Sequence, residues 1–260
     1  KFKGKIIKNS YPYLKLLQYQ NWKKAVSNIS NGIIDIHGGV TPKFTFNGDT
    51  KIASAGSCFA QKIAQNLQSR NYNYFITEKA PEWLDFEQRV KFNYGIYSAR
   101  YGNVYTTLQL LQLLQRALGK IEYEELVWKK GNNWFDPFRP SIQPSGYMNK
   151  NELINERRSH LKQVEYLFKN LDLFIFTLGL TETWLTSKNQ FALPICPGGK
   201  FGEFSDEDYF FKNLNVNENI NYLELFIDII QSINPNAKIL LSVSPVPIAA
   251  TITNKHVIQA

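Results

Sequence analysis

The segment Ala55-Gly56-Ser57-Cys58-Phe59-Ala60 sets a hydroxyl and a thiol side by side where an apolar run, Lys51–Ala55, gives way to a helical pattern. The apolar residues at 59, 60, 63, 64 and 67 carry the 3, 4 spacing of an amphipathic helix. Gly56 permits a sharp turn between the two. A helix starts with backbone N–H groups that no helical carbonyl reaches, and with the positive end of its dipole. Both would stabilise the oxyanion formed when Ser57 attacks a carbonyl, so the chemistry that suits this corner is acyl transfer. Serine is also a favoured N-cap residue, and a Ser57 spent on capping would do no chemistry. Cys58 is open to two readings as well: a thiol acidified by the helix terminus, or a small buried residue under the turn.

Arg139, in Asp136-Pro-Phe-Arg-Pro140, has a planar fork suited to a carboxylate or phosphate on a substrate. It would equally pin its long loop to a nearby Asp or Glu. Trp184 and Trp134 either offer faces to sugar rings or pack in the interior. Pro197-Gly-Gly-Lys-Phe-Gly202 lacks the spacing of a Walker loop. Three histidines are candidate bases. His37 lies beside Gly38-Gly39, and His160, mid-helix behind Arg157-Arg158, reads as a solvated surface residue. His256, in Asn254-Lys-His-Val-Ile258, is the best of the three. Two cysteines make neither a disulfide framework nor a four-cysteine zinc site, and neither metal nor organic cofactor is expected.

These residues need a frame. The 260 residues suit one large domain, or one domain with an appendage, and 43% hydrophobic with 20% charged residues excludes a disordered chain. Residues 1–48 read as an irregular basic lead-in and 49–260 as the domain. Strands are expected at 51–55, 72–77, 171–177 and 238–243, and helices at 59–67, 105–118, 150–170 and 218–233. Loops are expected over 120–148 and 186–217. Strands apolar from end to end, alternating with amphipathic helices, predict a mostly parallel sheet covered on both faces, a three-layer α/β/α sandwich. Ligands of such sheets gather beyond the carboxyl ends of the strands, where Ser57 and the stretch Gly179–Glu182 fall.

The net charge is +8, yet residues 1–34 hold seven lysines and no acidic residue, which leaves +1 on the remaining 226. A basic arm can touch phosphate, anionic lipid or an acidic glycan. The domain itself has no basic face, so no nucleic-acid partner is expected. No run of 18 apolar residues occurs, and no membrane span is expected. Low cysteine content and the lack of a signal-peptide pattern favour a cytoplasmic location.

Gly56-Ser-Cys-Phe-Ala60 is the signature for which the GSCFA family is named, and four further segments fit that family in order. They are Tyr101-Gly-Asn-Val-Tyr-Thr106, Asp136-Pro-Phe-Arg-Pro140, Thr177-Leu-Gly-Leu-Thr-Glu-Thr-Trp184 and Ser242-Val-Ser-Pro-Val-Pro247. Over about residues 40–260 the chain resembles this family, which is similar to the SGNH/GDSL esterases and acyltransferases. The resemblance implies an SGNH-hydrolase-like, flavodoxin-like sandwich with Ser57 as nucleophile and the Gly102 N–H as an oxyanion donor. A third-block Asn side chain completes the oxyanion site in that superfamily, but here Thr181 stands in its place, with Glu182 next. Thr181 or Asn103 would then supply the missing donor. Glu182 would orient a base, hold the substrate, or simply bind backbone at the strand end.

The superfamily's base lies in a late Asp-x-x-His, a motif that residues 1–260 do not contain. The expectation is that the protein continues past Ala260, where that segment would follow, and further domains of the same polypeptide are among its expected partners. The function implied is a serine esterase or O-acyltransferase acting on a small-molecule or glycan acyl ester. The alternative is a non-catalytic module that binds a glycan or a partner domain through a degenerate hydrolase pocket.

Overall fold

The structure is a computed structural model and describes residues 11–27, 42–123 and 126–257. The chain forms two compact units, Lys1–Phe46 and Asn47–Ala260. In the first, the described residues make two 3-10 turns, Pro12–Lys15 and Gln18–Gln20, and one π turn, Lys23–Ser27. His37 and the adjoining Gly38-Gly39 lie outside the described residues.

The second unit begins with strand β1 (Ile52–Ala55), helices α1 (Cys58–Ser69), α2 (Phe86–Lys91) and α3 (Thr107–Ala117), and strands β2 (Trp128–Lys130) and β3 (Asn133–Phe135). Helix α4 (Lys150–Asn170) leads into strands β4 (Leu173–Leu178), β5 (Glu182–Thr186), β6 (Ala192–Leu193) and β7 (Tyr209–Asn213). Helix α5 (Val216–Ile233) and strand β8 (Lys238–Val243) complete the order.

Strands β1, β4 and β8 form a parallel sheet in the order β1-β4-β8, with Ala55 opposite Phe176 and Phe176 opposite Leu241. Side chains alternate across a strand. Ala53, Ala55, Phe174 and Phe176 therefore share one face, and they join the main core with Leu110 and Leu114 of α3, Val164 and Phe168 of α4, and Phe226 and Ile230 of α5. Phe168, Phe174 and Phe226 meet with ring centroids 5.2–5.7 Å apart. Truncating one such buried ring costs about 3–5 kcal/mol, so this trio is a principal tie between sheet and helices. Ile52, Ser54, Ile175 and Thr177 point the other way, and α1 packs on β1 and β4 through its buried Ala60 and Ala64. The protein thus has an α/β fold with a parallel central sheet, as its uninterrupted apolar strands predict. Among the described residues, no helix is long and apolar enough to cross a membrane.

Three expectations change. The strand read at Tyr72–Thr77 shrinks to one parallel bridge, Tyr74 beside Ile52. The Phe75 N–H still reaches the Ile52 carbonyl, but Thr77 turns away to donate to the carbonyls of Ser98 and Gln163. The loop read over 120–148 contains the β2–β3 hairpin, turned at Gly131 with φ +60°. The loop read over 186–217 contains β6 and β7, which flank β5 antiparallel in the order β6-β5-β7. These strands span two to five residues, too short for alternation to register, and the partner of β7 lies across a long intervening loop.

Candidate functional site

Ser57 closes β1 and opens α1. Gly56 before it has φ +149°, and a β-carbon there would come within 2.8 Å of Ala60 Cβ and 3.0 Å of Thr177 Cβ, so only glycine fits the corner. Ser57 occupies the N-cap position with extended backbone, yet its side chain makes no capping hydrogen bond. The other four described α-helices all begin on a capping side chain: Asp85, Thr106, Asn149 and Asn215. The Ser57 hydroxyl is thus uncommitted to the helix it starts. The residue is 7% exposed. No acidic residue in the first turn offsets the positive terminus of α1. Cys58, beside it, is exposed rather than packed under the turn.

Two further segments close on this corner. The Val104 N–H donates to the Gly56 carbonyl at 2.9 Å, and the Tyr101 hydroxyl donates to the Ser54 carbonyl, so residues 101–104 are tied to the end of β1. Gly102 lies in that turn with φ +71°. From the end of β4, Gly179 approaches so closely that a β-carbon on it would lie 3.8 Å from Ser57 Oγ and 3.4 Å from the Tyr105 carbonyl oxygen. The Leu180 N–H holds this approach by donating to that same carbonyl at 3.0 Å.

The orientation of the Asn103 amide is set by its neighbours. Its Oδ1 accepts from Gln61 Nε2 at 3.2 Å and from the Tyr97 hydroxyl. Burial raises the Tyr97 pKa well above the ordinary phenol value, so this hydroxyl keeps its proton and donates. The Asn103 NH2 must then face the other way, and it donates to the Tyr105 hydroxyl at 2.9 Å. Gln61 and Tyr97 escaped the sequence reading. Gln61 carried a usable signal, because it lies four residues after Ser57 and so on the same face of α1.

Thr181, two residues beyond Gly179, is exposed, and its carbonyl accepts from the Leu214 N–H. Glu182 opens β5, where its Oε1 accepts from Thr251 Oγ1 at 2.5 Å. Glu182 and Trp184 line a cleft of about 480 Å³ together with Tyr105, Leu180, Leu193 and Ile252. Trp184 also meets Phe204 and Phe211 edge to face at 5.4 and 5.9 Å, so one part of its ring is packed and another lines the cleft.

Arg139 sits away from that cleft. It is 3% exposed, and its guanidinium spans Asp136 (3.0 Å), the Arg100 carbonyl (3.1 Å) and Glu156. Of the two roles read from sequence, this is the geometry of a pin. Every nitrogen of the fork meets a protein acceptor. Arg157 adds a second bond to Asp136 at 2.9 Å.

His160, expected on the surface, is instead 3% exposed, and its Nδ1 meets Glu78 Oε2 at 2.6 Å. Burial, helped by the Arg139 cation, pushes the His160 pKa below 6.5. Burial alone would raise the Glu78 and Asp136 carboxyls, but the cationic and hydrogen-bonding groups around them hold both well below the usual range. Burial lowers Arg116 to about 9, against the pull of Asp136, and its guanidinium stacks 3.6 Å from the Phe138 ring centroid. His256, the remaining described histidine, is exposed.

Fold and corner together define an α/β protein whose first strand delivers an uncommitted serine between two glycine-bearing turns, beyond the carboxyl ends of parallel strands. The chain belongs to the GSCFA family, whose family model matches residues 51–260. No curated protein and no solved structure matches the chain.

Proposed function

We propose that the protein is a serine esterase or O-acyltransferase of SGNH type, acting on the acyl ester of a small molecule or glycan through an acyl group carried on Ser57. The observation that carries this reading is the idle hydroxyl. Serine is among the best capping residues, and a capping bond contributes typically about 1 kcal/mol, so a serine at the N-cap that leaves it unmade is held for something else.

In the reaction, Ser57 Oγ bonds to the ester carbonyl carbon and its proton passes to a base. The carbonyl oxygen takes up negative charge against the N–H groups opening α1, the Gly102 N–H, and the side-chain donor of Asn103 or Thr181. Collapse breaks the ester C–O bond, and the departing alcohol takes the proton. Water or an acceptor hydroxyl then attacks the acyl-serine and returns Ser57 to its starting state. The base in this proposal is the histidine of an Asp-x-x-His motif, which residues 1–260 do not contain. Glu182, paired with Thr251 rather than with a histidine, contacts the substrate.

A fluorophosphonate probe on the full-length protein tests the reading. Labelling that is lost in Ser57→Ala supports it. A folded protein that takes no label favours the non-catalytic binding module, and labelling that survives Ser57→Ala but not Cys58→Ala moves the chemistry to the thiol.

A further inference from the structure

The cleft beside the serine has a chemical character of its own. Its walls are Leu180, Trp184, Leu193, Ile195, Ile248 and Ile252, and its volume of about 480 Å³ falls in the range that encloses small ligands. The cleft shares Tyr105 and Leu180 with the serine corner: Leu180 follows Gly179, whose β position is 3.4 Å from the Tyr105 carbonyl oxygen and 3.8 Å from Ser57 Oγ. The charged group on its wall is Glu182, with one oxygen occupied by Thr251.

We infer that this cleft receives the acyl chain of the substrate, and that the chain is an uncharged aliphatic one of several carbons. The inference rests on Ser57 as nucleophile and adds the substrate class. An acetyl group would leave the leucine and isoleucine walls uncovered, so little of the apolar burial available there would reach the transition state. A chain ending in a carboxylate would bring a second negative charge toward Glu182 in a low-dielectric cleft. Each methylene moved from water onto these walls is worth about a fourfold gain in kcat/KM.

The test uses p-nitrophenyl acetate, butanoate, hexanoate and octanoate, and the hemisuccinate ester, on the full-length protein with Ser57→Ala as background. The expected result is a rise of at least tenfold in kcat/KM from acetate to hexanoate, with the succinyl ester at least tenfold below butanoate. Ile195→Trp, which fills the cleft, and Ile252→Asp, which adds a charge at its exposed rim, should each lower the hexanoate-to-acetate ratio about tenfold. The rim variant keeps the test alive if the interior one fails to fold. Turnover that depends on Ser57 but is flat or falling with chain length overturns the acyl cleft and leaves the nucleophile standing. If no ester is turned over, the nucleophile reading fails, and calorimetry with uncharged 1-octanol then decides the cleft: binding weakened by Ile252→Asp supports an aliphatic site, and no binding overturns it.

Discussion

Ser57 Oγ and Gly179 face each other so closely that a β-carbon on Gly179 would stand 3.8 Å from the hydroxyl oxygen. That distance is ordinary van der Waals contact, and the backbone of Gly179 does not have positive φ. Gly179→Ala should therefore fold with stability within about 1 kcal/mol of the parent, as substitutions without a strained or overpacked site do. The added methyl fills the approach to Ser57, so fluorophosphonate labelling should slow by tenfold or more. Equal labelling rates would remove Gly179 from the approach path.

Ser57 and Thr106 both occupy N-cap positions, but only Thr106 caps, accepting from the Gln109 N–H. Thr106→Ala should cost about 0.5–2 kcal/mol in urea unfolding. Ser57→Ala should cost under about 0.5 kcal/mol, because no bond is lost, while all labelling disappears. A larger destabilisation by Ser57→Ala would mean that the hydroxyl has a structural task after all.

Arg139→Met keeps much of the side-chain volume but takes one buried cation from both Asp136 and Glu156, leaving them with Arg157 and Arg100 respectively. Breaking a buried pair from one side costs about 3–5 kcal/mol, and the urea midpoint should fall accordingly. A variant of parental stability with altered substrate affinity alone would instead give Arg139 a place at the substrate.

Acid should destabilise the fold in two stages. His160 has a folded pKa below 6.5, so it stays neutral where the unfolded chain binds a proton, and stability is lost as pH falls from 6.5 toward the folded value. Glu78 and Asp136 have folded pKa values below 4.5 and 3.8, and their contribution, full above those values, drains as pH falls further. All three act in one direction. Urea midpoints at pH 7.5, 6.5 and 5.5 should decline, and His160→Gln should flatten that decline even though its midpoint at pH 7.5 is lower. An unchanged slope in His160→Gln would exclude the histidine as the source.

Much of this protein is written in local pattern. The 3, 4 spacing of apolar residues in α1, α3, α4 and α5, and the apolar runs of β1, β4 and β8, specify burial through periodicity alone, so the α/β frame and the corner at Ser57 are legible before any folding. Turn chemistry at Gly56 and Gly131 belongs to the same class. The short strands β2, β3 and β6 span two or three residues, too few for alternation to register, and β7 depends on cross-strand pairs such as Trp184 with Phe211 that no local window contains.

Long-range juxtaposition decided the rest. Whether Arg139 meets a substrate or a carboxylate turned on Glu156, 17 residues away, and whether His160 faces water turned on Glu78, 82 residues away. Sequence spelled out a serine at the start of a helix. That its oxygen is left uncommitted, facing a glycine from the end of another strand, follows from how the sheet brings β1 and β4 side by side, because hydrogen-bond partners are chosen by distance in space and not along the chain.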